Sequence, residues 1–569
     1  MNAKRIMVVA IAATFAFADP ALARQPSGRE SDARIRRGEE EVEKAIQRNR
    51  AGFDAFDTGS LGDATLEMIP FVVFRVLQEL EPEVFGDSAL ATFGFFPRDD
   101  TPTHLNGVNW TRPAASDGGF QVRYMSRSCA SCHVGRVRRD DGTIQVMFGA
   151  PNTEMNLHTF IGRLTPLMKA RLGPSNDSPA YKEFRGRVAE ALESKPPGWY
   201  WGADSKLVSE EEAAREVATV KANLDAVLAT MRQMNERRLG GIALLQAHPY
   251  KNVPNPPSLT GGAPGLVETS GLGSTSLVSL VGVDKADTVL PPKPSMADIP
   301  AVWRIDPKGY ANWDATIVGF ARSMTSSLAV VGNPSKIDLK TNAAIQDFIG
   351  KLPAAPYPFP IDEQSRARGE VTFKKNCAGC HDATPGRTRD DLIFDVGTDP
   401  MRADAISSTT VKMMEKVIRV ACPPTQTEFS LPDKPLVDPT EKRGYVANGL
   451  PGTWAQAPYL HNGSVPTLRQ LLVPSLRTNQ PFLRGSITYN KQDGGWEWDP
   501  SRERELRSRG ESAIAPHDIR KDSFSNKGHG SDANPFVVDG QGKKARIAWS
   551  NNDSDKPIVD DLIAYLLSL

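Results

Sequence analysis

Two five-residue stretches, Cys129-Ala130-Ser131-Cys132-His133 and Cys377-Ala378-Gly379-Cys380-His381, share the pattern C-x-x-C-H. Together they use four of the chain's 5 cysteines and two of its 8 histidines. The spacing is that of covalent haem c attachment: two thiols add to the vinyl groups of one porphyrin, and the adjacent imidazole reaches the iron as proximal ligand. Cys129, Cys132, Cys377 and Cys380 are the expected attachment thiols, and His133 and His381 the expected iron ligands. A zinc site built from the two cysteine pairs is the competing reading, and it would leave both histidines idle. Cys422, followed by Pro423-Pro424, reads as a buried thiol. Two metal centres, more than one large apolar core, are therefore expected to organise the fold.

The first residues agree with this chemistry. Lys4-Arg5, an apolar run from Ile6 to Ala18 and the triplet Ala21-Leu22-Ala23 form a basic, an apolar and a small-residue region in the order of a secretory signal, with cleavage expected after Ala23. The apolar run is shorter than the roughly 20 residues that cross a bilayer, and stable membrane insertion is not expected. A periplasmic or secreted location follows, where covalent haem attachment takes place. Lys+Arg 68 against Asp+Glu 68 gives no net charge, which argues against nucleic acid as a partner.

At 569 residues the chain exceeds one compact core. The Leu352–Pro360 stretch, with four prolines, cannot be helical and is read as a polyproline-like connector dividing residues 24–350 from 351–569. Residues 24–37 are expected to form a loose polar arm. An apolar helix is expected over 63–80. A longer one is expected to start at Ser209, capped toward Glu212, and to end at Gly240-Gly241. Residues 251–300 read as extended loop. Beyond the connector, a helix carrying Gly369 and Phe373 leads into the second C-x-x-C-H. The carboxyl end carries Ile558, Leu562, Ile563, Leu566 and Leu567 on one helical face. The expected fold class is mainly α: two cytochrome c-like haem domains with long irregular loops and few short strands.

Four stretches carry a resemblance to a known group. "CASCHVGRVRRDDGTIQVMFGAPNTEMNLHTF", "DIPAVWRIDPKGYANWDATIVGFARSMTSSLAVVG", "LPGTWAQAPYLHNGSVPTLRQLL" and "SFSNKGHGSD" are similar to segments of the di-haem cytochrome c peroxidase superfamily, closest to its branch of rubber oxygenases and di-haem fatty-acid dioxygenases. The resemblance implies a reactive amino-terminal haem and a carboxyl-terminal haem that stores electrons. It makes His529 the closing ligand of the second iron and His461 a neighbouring residue. His461, Met401 and Met414 stay open as alternative ligands. His158 is the candidate that could close the first iron; a structural role competes with it. Trp303 and Trp313 would line the distal or inter-haem region, with Phe320 a weaker candidate, and Ala315 stands where the family pattern suggests glycine. His104, His248 and His517 are read as structural.

Three activities share this architecture. An oxygenase would direct O₂ onto an apolar unsaturated substrate. A peroxidase would take electrons from a small donor protein and needs a distal acid–base. A di-haem carrier would have both irons closed. The first two make the chain a haem-dependent oxidoreductase. Calcium accompanies haem in the peroxidases, but no acidic loop here supports it.

Overall fold

The computed structural model describes residues 26–569 except 63–68, 99–104, 112–119, 202–207, 252, 270–276, 279–282, 383–385, 427, 430, 439–441, 448 and 539–542. The signal expected over 1–23, the start of the helix expected from 63, and His104 lie outside the described residues. About 48% of the chain is helical, and the described strands form two-stranded antiparallel ribbons. Mainly α, with few short strands, is the architecture observed.

The amino half is a helical layer. Helices α1 (Pro26–Arg48) and α2 (Arg50–Thr58) lead to α3 (Phe71–Leu80), whose Phe71, Val73, Val76 and Leu77 are buried. Helix α3 packs with α4 (Leu157–Leu172), α5 (Pro179–Ser194), α6 (Glu210–Ala222) and α7 (Leu224–Leu245) around Phe160, Tyr181, Phe184, Trp201 and Leu228. Of the residues expected to be a loose arm, 26–37 are helical. Ile35 and Ile46 are buried, Gly38 sits against Pro356, and Ser31 Oγ accepts a hydrogen bond from Ile361 N at 3.0 Å. Tertiary burial orders a segment whose composition alone is polar.

Ser209 caps α6 as expected, its side chain accepting from Glu212 N at 3.1 Å. The single long helix does not follow. The chain breaks at Asn223, and α7 then runs through Gly240-Gly241 to Leu245. A glycine in a helix costs about 1 kcal/mol, and the burial of Leu245 among Tyr250, Leu259 and Leu277 offsets it. Among the described residues of 251–300 are a 3₁₀ stretch, helical residues at 269 and 277–278, and the ribbon of Leu266–Glu268 with Met296–Asp298, with irregular chain between them.

Helices α8 (Ala321–Val331) and α9 (Leu339–Lys351) precede the proline-rich connector, which is extended but not solvent-exposed. Leu352, Tyr357 and Phe359 are buried, and Ala355 O accepts from Trp454 Nε1 at 2.9 Å. The apolar cluster around it draws Phe53, Phe348, Trp454 and Leu562 from both sides of the chain.

Helix α10 (Glu363–Asn376) crosses the carboxyl-terminal helix α12, with α11 (Ser408–Ala421) between them in sequence and α12 spanning Lys556–Leu567. The crossing point is Gly369: a Cβ there would lie 1.9 Å from Asp561 O, and Phe373 meets Tyr565 at 5.2 Å between ring centres. No side chain fits without parting the two backbones. Gly369→Val should therefore cost about 3 kcal/mol or more, read as a loss of unfolding free energy in urea; a cost below 1 kcal/mol would contradict this crossing.

Candidate functional site

Each C-x-x-C-H folds as a single helical turn. His133 N donates to Cys129 O at 3.0 Å, and His381 N donates to Cys377 O at 2.9 Å, so two thiols and one imidazole project from one turn at both places. None of the four cysteines is in a disulfide. Burial pushes the Cys129 and Cys377 thiols up to about 12. Among the described residues no group of three or more His, Cys, Asp or Glu could hold a metal ion, so the two pairs do not form a shared zinc site.

The first turn is gripped from both sides. Asn106 Nδ2 donates to Ala130 O at 2.8 Å, while Asn152 Nδ2 donates to Ser131 O at 2.8 Å and Gly94 O at 3.0 Å. Gly107 lies so close that a Cβ would stand 2.1 Å from Ser131 N. After the turn, Val134–Arg138 pairs with Ile144–Phe148 in a hairpin, and Gly149 and Asn152 return to His133 O and Cys132 O, each at 2.8 Å. This hairpin and the G-A-P-N-T turn lie within the first of the four stretches that carry the family resemblance. His133 Nδ1 bonds Pro300 O at 3.0 Å, which leaves Nε2 as the nitrogen available to an iron. Burial holds its imidazole down at about 4, so the ring is neutral.

At the second turn, His529 is the residue whose ring faces His381: the centres are 6.2 Å apart and the planes inclined by 53°. An iron held between two imidazoles by bonds of about 2 Å separates ring centres by about 6 Å. The spacing fits such an iron. His529 reaches this place on a tight loop in which Gly528, His529 and Gly530 have φ of 88°, 53° and 87°. Arg477 fastens the loop, donating to Asn526 O at 2.6 Å and Gly528 O at 2.8 Å, and to Gln470 O and Leu471 O beyond. Burial, then the neighbouring His381 and Arg477, hold His529 down at about 3.

His461 lies elsewhere. It is 3% exposed and stacked on Tyr445 at 3.8 Å, and neither ring nitrogen has a hydrogen-bond partner. Burial, with the Arg402 charge second, holds it down at about 3. The unfolded imidazole protonates near 6.5, so the stability this depression represents is present above 6.5 and lost as pH falls toward 3. The slope is about 1.4 kcal/mol per pH unit. His461→Phe should therefore flatten the loss of stability between pH 6.5 and 5 by about 2 kcal/mol, measured by urea unfolding at both pH values.

His158 is not a ligand. Its Nδ1 bonds Leu259 O at 3.1 Å and its Nε2 accepts from Glu268 N at 3.1 Å, so both nitrogens are occupied by backbone. His517 is packed between Phe482 and Phe524. Phe320 stacks with Phe429 in an apolar cluster. Ala315 is fully buried with φ of 54°, a conformation that favours the glycine the family pattern suggests.

One cavity of about 2040 Å³ is lined by Cys132 and His133 at one site and by His381 at the other. Ligand pockets usually measure about 300–1,000 Å³, so this volume suits two bulky groups. Trp303 and Trp313 also line it. Trp303 Nε1 donates to Phe148 O at 2.8 Å, and its ring is wedged against Gly149 and Gly452. Trp313 Nε1 donates to Asp298 O at 3.1 Å. Sequence reasoning passed over the buried pair Arg402–Asp314 at 2.7 Å and the buried carboxylates Glu268 and Asp298 in or beside the wall. Isolated charged residues carry no local signal of burial.

Comparison with known proteins follows the same divisions. Residues 444–480, which include His461, match the family model described as RoxA-like, cytochrome c-like. Residues 52–133, ending on the first histidine ligand candidate, match a Y4iN-like domain. The chain is 33% identical over 432 residues to the uncharacterized protein y4iM of Sinorhizobium fredii, covering 67% of this chain and 96% of that protein. It is 24% identical over 188 residues to the uncharacterized protein y4iJ of the same organism, covering 24% of this chain and 31% of that one. The chain thus belongs to the family of y4iM and carries within it a RoxA-like cytochrome c segment.

Proposed function

We propose that the chain is an exported di-haem c-type oxidoreductase in which the first iron is open to ligands and the second is closed. Cys129, Cys132 and His133 would hold one haem, and Cys377, Cys380, His381 and His529 the other. The observation that carries this is an asymmetry. A second imidazole faces His381 at 6.2 Å, whereas His158, the histidine that could close the first iron, has both nitrogens bound to backbone. An open haem iron supplies O₂ or peroxide activation, and one closed by two imidazoles supplies electron transfer.

The wall beside His133 favours oxygenase chemistry on an apolar unsaturated substrate. Ile161, Leu164, Met234, Ile242 and Val330 line it. Of the four carboxylate residues that line the cavity, Glu268 accepts from Tyr250 OH at 2.6 Å and from Ser295 N, Asp298 pairs with Arg484 at 2.6 Å, Asp306 accepts from Lys308 N, and Asp382 directly follows His381. A peroxidase needs a free acid–base close to the bound peroxide. Trp303 and Trp313, each anchored through its N–H, hold fixed positions in the cavity wall.

The test is a visible and EPR spectrum of the full-length protein with and without cyanide, joined to oxygen uptake. One low-spin haem, one cyanide-responsive haem, and oxygen consumption with an unsaturated fatty acid or polyisoprene in the absence of reductant are expected. Rapid peroxide turnover with reduced cytochrome c would assign the site to a peroxidase. Two closed low-spin haems would make the chain a carrier.

A further inference from the structure

Arg322 is the second residue of α8, on the face that forms the cavity wall with Thr325, Ser326, Ala329 and Val330. Spacings of three, four, seven and eight residues place all five on one side of the helix. The three polar members lie toward the helix start, and the two apolar ones follow. The Nε and Nη2 atoms of Arg322 are buried and have no hydrogen-bond partner, and it forms no ion pair among the described residues. The more fully buried Arg389, Arg402 and Arg484 also leave Nε unpaired, but each bonds through a terminal nitrogen. Arg402 bonds Asp314, Arg484 bonds Asp298, and Arg389 bonds the carbonyls of Asp314 and Lys442.

A buried guanidinium without a counter-charge is costly, and its planar fork matches a carboxylate in two parallel hydrogen bonds. Nε and Nη2 are one edge of that fork. Arg322 shares its cavity with His133, and its charge is near enough to help lower the His133 pKa. Asp306, the acid that acts on Arg322, is exposed and engaged with Lys308 N.

We propose that Arg322 is a carboxylate receptor, its Nε and Nη2 donating side by side to a carboxylate held in the cavity beside His133. Two sources supply that chemistry: a propionate of the haem on Cys129 and Cys132, or the head group of an amphiphilic substrate whose chain lies along Ala329 and Val330. The inference rests on the haem reading above.

The experiment uses full-length holoprotein with Arg322→Gln and Arg322→Lys, after a pyridine haemochrome assay has counted haems per chain. One arm measures the midpoint potential of the cyanide-responsive haem and its propionate Raman bands. The other titrates laurate, which is saturated and cannot turn over, and follows the spectrum of the same haem. If the carboxylate is a propionate, Arg322→Gln lowers the potential and shifts the Raman bands with laurate affinity unchanged. If it is the substrate's, laurate affinity falls about tenfold or more with the potential unchanged. Arg322→Lys, which keeps the charge and loses the fork, falls between in whichever arm responds, and it carries the test if the glutamine variant fails to load haem. Two haems per chain with neither arm altered overturns the proposal and leaves the di-haem reading standing; a wild-type protein without haem removes that reading instead.

Discussion

His529→Gly holoprotein is expected to lose its low-spin haem signal, with the second iron becoming high-spin and open to cyanide as the first already is. Glycine is the suitable replacement because position 529 has φ of 53°, which only glycine adopts without strain. The loop should therefore keep its course, held by Arg477 on Asn526 O and Gly528 O, while the imidazole alone is removed. Free imidazole should enter the space and restore the low-spin spectrum. His461→Gly serves as the control, since that ring stacks on Tyr445 while His529 is the ring that faces His381. An unaltered spectrum in His529→Gly, or conversion in the His461 variant, would reject the assignment of His529 to the second iron.

Asp314→Leu should cost about 3–5 kcal/mol of unfolding free energy, the range for breaking a buried ion pair from one side. Both side chains are almost fully enclosed, Arg402 at 2% and Asp314 at 1% exposure. Arg402 Nη1 donates to Asp314 Oδ2 at 2.7 Å, and Thr316 Oγ1 donates to the other oxygen at 2.7 Å. Removing the carboxylate strands a charge beside His461, whose pKa that charge already lowers. The double variant Asp314→Leu with Arg402→Met removes both charges and should recover most of the loss. Urea unfolding of the four proteins in the cycle checks this. A single-variant cost under 1 kcal/mol, or a double variant no better than the single, would show that the pair is not isolated from solvent.

The elements legible in the sequence were those whose signal is local. C-x-x-C-H is contiguous, and at both places it folds as one turn with the imidazole after the second thiol. Gly369 and Phe373 lie four residues apart on one helix, so their meeting with the last helix could be foreseen from a single face. The pairing of His529 with His381 came only through resemblance, because residues so distant in sequence share no local pattern. The helix over Pro26–Arg48 was missed because its composition is polar and its order comes from Pro356 and Ile361, more than 300 residues away. Gly240-Gly241 was misread as a stop because the anchoring of Leu245 is tertiary. Arg322 carried no signal at all: its meaning lies in the hydrogen bonds it does not make, a property visible only in three dimensions.

The docking of α1 has a consequence for the order of assembly. Ser31 bonds Ile361, a separation of 330 residues, and Arg34 approaches Glu363 at 3.8 Å. During synthesis the earliest described helix emerges long before its landing surface exists, and contacts of such separation close slowly. The helix made first is thus seated among the last, and a tether at that end would report completion of the fold.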